Sequence, residues 1–347
     1  MSKEYFMIKE IKEGPEAIKN TIREVRKNVP KLKELIEKEG LSEGIIIGSG
    51  TSFHASLVLQ FLLNKFTSLH TVAIPASEFC SWAPEKLEKT MLIAFSQSGE
   101  STDVIISVKY AKEKGAKIIG ITNTPGSTLT KLSDVTLLTK AGEEKAVAAT
   151  KTYDAQLAAA SIISYSLGNR EDLIKELENV PDKVKSVIAI EEKIKELSKE
   201  LVKAEHIFVL GNGINYPNAL EASLKLKETC MIHAEGFAVR EFLHGPIQLV
   251  DETTPVIVLL PTRRTLEEST KTLEKLKSYK APIIAVCGED VDVSNYTDKM
   301  IEVPKTLEEV SLFTMIKAIQ ILAFYTSIGK GLNPDKPTKL TKVVKYP

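Results

Sequence analysis

The chain has 347 residues, 43% of them hydrophobic and 27% charged, and its 46 basic residues balance its 46 acidic ones. That length suits two domains of ordinary size with real cores. The even charge balance does not favour nucleic acid or an anionic membrane as a partner.

With Lys and Glu recurring after Met1-Ser2-Lys3-Glu4 and no apolar core following, no signal peptide is expected, and no apolar run approaches the roughly 20 residues of a membrane span. Residues 1–43 are predicted as a helical arm. Ala17, Ile18, Ile22, Val25, Val29, Leu32 and Ile36 recur near a 3.6 period, and Pro30 is set to break or kink the arm. A short buried strand, Ile45–Ile47, then ends at Gly48-Ser49-Gly50-Thr51-Ser52, and a helix covers about Phe53 to Lys65. Further strands are predicted at Met91–Phe95, Lys117–Thr122 and Val135–Leu138. Apolar strands alternating with helices signal an α/β protein with a parallel sheet covered on both faces.

The run Ser96-Gln97-Ser98-Gly99-Glu100-Ser101-Thr102-Asp103 lies between a strand and a helical pattern from Val104 to Lys114. A helix N-terminus presents backbone N–H groups and partial positive charge, glycine permits close approach, and hydroxyls add neutral donors. Such a loop fits a phosphate monoester. It lacks the Gly-Lys-Ser/Thr ending of a nucleotide P-loop, so a small phosphorylated metabolite fits better than ATP. An ordinary capped turn is the alternative; the position at the carboxyl end of a buried strand favours a ligand.

Residues 169–203, rich in Lys, Glu and Ile, read as connecting amphipathic helices with solvated charges. The first pattern then recurs. Ile207-Phe208-Val209-Leu210-Gly211-Asn212-Gly213 answers Ile45–Gly50, Val256–Leu260 answers Met91–Phe95, and Ile283–Val286 answers Ile118–Ile121. The offsets agree: 213 − 50 = 163, 283 − 118 = 165, and 298 − 134 = 164 for Asp298 and Asp134. This is tandem duplication of one α/β unit. In place of the serine loop the second half has Pro261-Thr262-Arg263-Arg264-Thr265, so one phosphate site per chain is expected, with Arg263 and Arg264 on the surface. Residues 329–347, with three prolines before the last residue and many lysines, read as an extended tail.

Pro217 suits the first turn of a helix in which Glu221, Lys225 and Glu228 fall at i, i+4 and i+7 and share one face. A surface salt-bridge ladder and a functional cluster both fit that spacing. Cys80, Cys230 and Cys287 make no CxxC pair and no disulfide framework, which fits a reducing cytoplasm, and Cys230 reads as a buried small hydrophobe. The histidines show no metal-ligand spacing, and Gly48-Ser49-Gly50 lacks the third glycine of a dinucleotide fingerprint. No metal and no cofactor are expected.

Several motifs occur together and in order: the two serine loops; Ala141-Gly142-Glu143 through Val147-Ala148-Ala149-Thr150-Lys151; Ala219 through Glu228; Ile232-His233-Ala234-Glu235; and Glu241-Phe242-Leu243-His244-Gly245-Pro246. From about Glu10 to Lys342 the chain resembles the sugar isomerase (SIS) family, and within it the isomerase half of the glucosamine-6-phosphate synthases. The resemblance implies two tandem doubly wound, flavodoxin-like SIS domains at 44–168 and 204–328, an arm at 1–43, connecting helices at 169–203 and a tail at 329–347. It implies that Ser52, Ser96, Gln97, Ser98 and Ser101 hold the sugar phosphate beside Thr51, with Ser101 standing where the family often has Thr. The backbone around Val147 would line the sugar hydroxyls.

Glu228 matches the family's base, which shuttles one proton between C1 and C2, and Lys225 would steady it or the developing oxyanion. His244 would open the sugar ring from a neighbouring subunit, implying a homodimer; His233 is given a structural role. Lys342, in Leu340-Thr341-Lys342-Val343, resembles the lysine that condenses with the open-chain ketose. Here the tail departs from the family, with Thr338-Lys339 where the synthases have Arg-Asn. The chain begins where the isomerase half begins, so no glutaminase domain is expected. The implied activity is interconversion of glucosamine 6-phosphate with fructose 6-phosphate and ammonia, in the deaminating direction. Alternatives are synthesis from free ammonia or through a separate glutaminase subunit, another phosphosugar isomerase or a deglycase, and a non-catalytic sugar-phosphate sensor. The sensor would need the serine loop but not Glu228, His244 and Lys342.

Overall fold

The computed structural model describes residues 5–342. The chain divides into two compact units. Of the described residues, one holds 13–144, 149–181 and 341–342; the other holds 5–12, 145–148 and 182–340. The first helix, α1 (Phe6–Glu39), runs through both Pro15 and Pro30, correcting the expected break. Pro30 is exposed, so water can take up the carbonyl that its missing N–H leaves unpaired.

The first unit contains β1 (Glu43–Gly48), α2 (Thr51–Phe66), β2 (His70–Pro75), α3 (Ala76–Trp82), β3 (Thr90–Phe95), α4 (Thr102–Glu113), β4 (Lys117–Thr122), α5 (Thr128–Leu132), β5 (Val135–Leu138) and α6 (Lys151–Leu167). Its five strands are ordered β2-β1-β3-β4-β5, and every pairing is parallel. Strand β1 pairs both neighbours, with Ile47 opposite Ile74 on β2 and Ala94 on β3. Burial on both faces explains the unbroken apolar run of β3. Strand β2 lies at the sheet edge with Val72 exposed, so it carries no such run and the sequence does not announce it. Helix α6 is buried at every position from Lys151 to Tyr165, and a helix covered all round shows no amphipathic period.

After α7 (Glu171–Ala189) and α8 (Glu191–Ser198), the second unit continues with β6 (His206–Gly211), α9 (Tyr216–Cys230), β7 (His233–Ala238), β8 (Val256–Leu260), α10 (Arg263–Ser278), β9 (Ile283–Gly288), β10 (Met300–Val303) and α11 (Glu308–Gly329). Its sheet order, β7-β6-β8-β9-β10, repeats the first sheet strand for strand. The duplication extends to atomic detail. A Cβ on Gly48 would stand 2.6 Å from the Ser52 backbone, and one on its counterpart Gly211 would stand 2.3 Å from the Asn215 carbonyl oxygen. Each glycine lets the following turn fold back onto the end of its strand.

Among the described residues helix α11 is long and apolar enough by length and composition to cross a membrane, although Lys317 divides its apolar residues. It is the core helix of the second unit: residues 310–324 are buried, and the ammonium of Lys317 donates to the Ile11 carbonyl at 3.2 Å and the Gln320 amide oxygen at 2.6 Å. Among the described residues beyond Gly329 the chain forms turns, with no helix or strand. Residues 1–4 of the expected arm and 343–347 of the expected tail lie outside the described residues.

Candidate functional site

In a flavodoxin-like order, ligands bind beyond the carboxyl ends of the strands where the winding reverses, between the first and third strands. In the first unit both serine loops emerge there, one from β1 into α2 and the other from β3 into α4. Gly50, at φ 54°, turns the first loop into α2, and the Ser52 hydroxyl accepts from the Gln156 side-chain amide at 2.8 Å. In the second loop the Ser96 and Ser101 hydroxyls share a hydrogen bond of 3.2 Å, and the Gly99 N–H donates to Ser96 Oγ at 3.1 Å. Ser101 sits at the N-cap of α4 without its side chain capping the helix. Its hydroxyl is turned into the loop, which argues against an ordinary capped turn. A Cβ on Gly99, at φ 67°, would lie 2.1 Å from Ser127 Oγ, so only glycine fits.

Gln97 also lines a cleft of about 650 Å³ in the same unit, together with Asn123, Thr124, Lys140, Glu144 and Lys342. Thus Lys342, named from the sequence, shares a cleft with the serine loop. Its ammonium donates to Glu144 Oε2 at 2.6 Å. The Glu144 carboxylate is buried and accepts in addition from the Thr150 N–H at 2.8 Å and the Thr152 hydroxyl at 2.6 Å. Burial alone would raise this carboxyl; the Lys342 charge and the surrounding donors outweigh it and hold the group below its ordinary value. Glu144 is the partner that sequence reasoning missed. It stands within a quoted motif, but nothing in the spacing links it to a lysine 198 residues away.

Glu228, Lys225, His244 and Val147 belong to the other unit. On α9, which opens with Pro217 in its first turn, Lys225 has a fully buried side chain. Its ammonium lies 3.3 Å from Glu221 and bonds Glu228 more closely. Burial works to lower the Lys225 pKa, but the two carboxylates prevail and raise it, so this lysine is held as a cation. A surface ladder is excluded, because Glu221 is 1% exposed and Lys225 0%, while Glu228 keeps 20% of its side chain accessible. Glu228 lines a cleft of about 330 Å³ with Leu224, Met231, Leu332, Lys336 and Pro337. One carboxylate of the triad is therefore sealed and the other reaches open space.

His244 is exposed, follows a short helical turn at Glu241–Leu243, and is not among the residues of that cleft. The Val147 N–H donates to the Asp335 carbonyl at 3.0 Å, so this amide is engaged within its own unit. His233 is exposed, 3.3 Å from Glu235, with its ring 5.4 Å from that of His206. Cys230 is buried, which pushes its thiol up to about 11, as a small core residue requires.

Fold and site together define a class: tandem doubly wound α/β domains in which one sheet carries two serine loops at its switch point. The chain belongs to the SIS-domain family, whose model matches residues 43–166 and 200–327. The glutamine–fructose-6-phosphate aminotransferase (isomerizing) of Pyrococcus horikoshii is 39% identical over 347 residues, covering 98% of this chain and 58% of that protein. The same enzyme of Aquifex aeolicus is 37% identical, with 98% and 57% covered. The chain thus spans a little under three-fifths of the length of these relatives. Among solved structures, the C-terminal domain of the glucosamine-fructose-6-phosphate aminotransferase of Francisella tularensis superposes with a TM-score of 0.90 at 28% identity, covering 97% of this chain and 99% of that one. The glucosamine-6-phosphate deaminase of Thermotoga maritima has the same fold, with a TM-score of 0.73 at 23% identity and 96% and 99% covered.

Proposed function

We propose that the chain binds a hexose 6-phosphate and interconverts glucosamine 6-phosphate and water with fructose 6-phosphate and ammonia. The observation that carries this reading is the pair of serine loops at the β1/β3 switch point: hydroxyls and a helix N-terminus, with no lysine or arginine among residues 96–103, suit a phosphate monoester. The isomerase portion of the relatives, which this chain matches along 98% of its own length, supports the choice of sugar.

In this reading Ser52, Ser96, Gln97, Ser98 and Ser101, beside Thr51, hold the phosphate. Lys342 attacks the C2 carbonyl of the open-chain ketose, and water leaves as the imine forms. Glu144, which accepts a hydrogen bond from the Lys342 ammonium, orients it, and the amine must lose its proton before it attacks. Glu228 carries the proton between C1 and C2, and Lys225 fixes its carboxylate. His244 serves ring opening from a second copy of the chain, and the backbone at Val147 faces the sugar. Nitrogen enters or leaves as ammonia, free or delivered by a glutaminase subunit.

The test is direct. Incubation with glucosamine 6-phosphate should release equal amounts of ammonia and fructose 6-phosphate. Fructose 6-phosphate with ammonium should yield the amino sugar, and glutamine in place of ammonium tests for a glutaminase. Saturable binding of fructose 6-phosphate with no turnover in either direction would replace this reading with a sugar-phosphate sensor.

A further inference from the structure

The serine loop contains one anion of its own, Glu100, directly beside the hydroxyls assigned to the phosphate. Left free, a carboxylate there would oppose a dianionic ligand, because like charges within a few ångströms repel strongly at a partly dry site. The structure disposes of it. Glu100 Oε1 accepts from the Thr128 N–H at 2.7 Å and Oε2 accepts from the Thr128 hydroxyl at 2.8 Å, a two-point grip at the first residue of α5.

The loop's carbonyls are turned the same way. The Gly99 carbonyl accepts from the Leu129 N–H at 3.0 Å. The Gln97 carbonyl accepts from the Asn123 N–H at 3.1 Å and from the Thr122 and Thr124 hydroxyls at 3.2 and 3.3 Å. The Ser96 and Ser101 carbonyls accept from the N–H groups of Gly99 at 3.2 Å and Ile105 at 3.0 Å. Each of these bonds consumes an electronegative group of the loop, and most of the donors lie on residues 122–129.

We propose that residues 122–129 act as an acceptor sink for the serine loop, and that Thr128 is a positioning residue which withdraws the Glu100 charge from the anion site. Phosphate affinity then depends on Thr128, although its hydroxyl bonds Glu100 and not the ligand. The proposal rests on the reading that residues 96–101 hold phosphate.

Isothermal titration of fructose 6-phosphate into the full chain tests it. Thr128→Val removes one of the two grips and should raise Kd about tenfold at low ionic strength. The loss should shrink in about 0.5 M KCl, where freed charge is screened. Thr128→Ser keeps the hydroxyl and should restore wild-type affinity. In a Glu100→Gln background, where there is no charge to release, Thr128→Val should change Kd by less than about twofold. Equal losses in both backgrounds, insensitive to salt, would show that Thr128 merely supports α5 and would overturn the proposal. If instead Ser98→Ala and Ser101→Ala leave the wild-type Kd unchanged, the loop is not the phosphate site and the underlying reading fails with it.

Discussion

The two sheets share one strand order and differ at their carboxyl edges. In the first, the turn after β1 and the loop after β3 present serine hydroxyls, and the loop's acceptors are drawn back onto residues 122–129. In the second, the same two places are filled from within. Glu308 lies against Gly213, the counterpart of Gly50, with a carboxylate oxygen 3.2 Å from where a Cβ would stand. Arg264, from the loop answering the serine run, donates through Nε to Glu308 at 3.0 Å and also bonds Glu268. Thr262 and Thr265 close a reciprocal capping box at the start of α10. Asn215 and Asn218 bond each other and α11, through Ser311 and the Leu312 carbonyl. At the second edge an arginine–carboxylate pair and a closed cap occupy the places that serine hydroxyls hold at the first. A duplicated fold supplies two equivalent positions, and the side chains decide which of them becomes a site.

That contrast can be broken or sharpened by substitution, starting with the largest expected effect. Glu228→Gln keeps shape and hydrogen bonding but cannot carry a proton. Turnover should fall about 10³-fold while fructose 6-phosphate affinity in the first unit stays within about threefold, because general acid–base groups contribute on that scale. Unchanged turnover, measured by coupled assay, would remove Glu228 from the chemistry.

Glu144→Gln should destabilise the first unit by about 2–3 kcal/mol, since it uncouples the Lys342 ammonium from a buried acceptor. The sign with pH follows from the depressed carboxyl. Above its ordinary value of 4.5 the folded state gains the full benefit, and the benefit is lost as pH falls through the lower folded value. Melting curves against pH should therefore show a flatter acid limb in the variant; parallel limbs would mean that the pair contributes no stability.

The paired glycines give the closest comparison. Gly48→Ala and Gly211→Ala each force a Cβ into backbone and should each cost about 2 kcal/mol by thermal unfolding. Only Gly48→Ala should also weaken fructose 6-phosphate binding, because it displaces Ser52. Loss of binding in both variants would place a ligand at both edges. The smallest effect belongs to the second loop. Thr262→Ala removes a cap and should cost about 1 kcal/mol without changing sugar-phosphate affinity.

Much of this was legible in the chain because it is local. Buried central strands such as Thr90–Phe95 read as unbroken apolar runs, the serine loop follows one of them, and the offset of about 164 residues reveals the repeat. The edge strands β2 and β7 escaped notice, as did the fully buried α6, since the signal is alternation or periodicity and these elements show neither clearly. At α9 the spacing alone could not separate a surface ladder from a buried triad; the choice depends on what covers the helix.

By itself, then, the sequence determined the α/β class, the duplication, the serine loop and the face shared by Glu221, Lys225 and Glu228. Tertiary structure decided which of those carboxylates is sealed and which reaches a cleft. It also joined Lys342 to Glu144 and turned Glu100 away from the loop that contains it. The division has one cause. Backbone propensity and hydrophobic period are written within a few turns of chain, whereas burial and charge pairing depend on neighbours that only folding supplies.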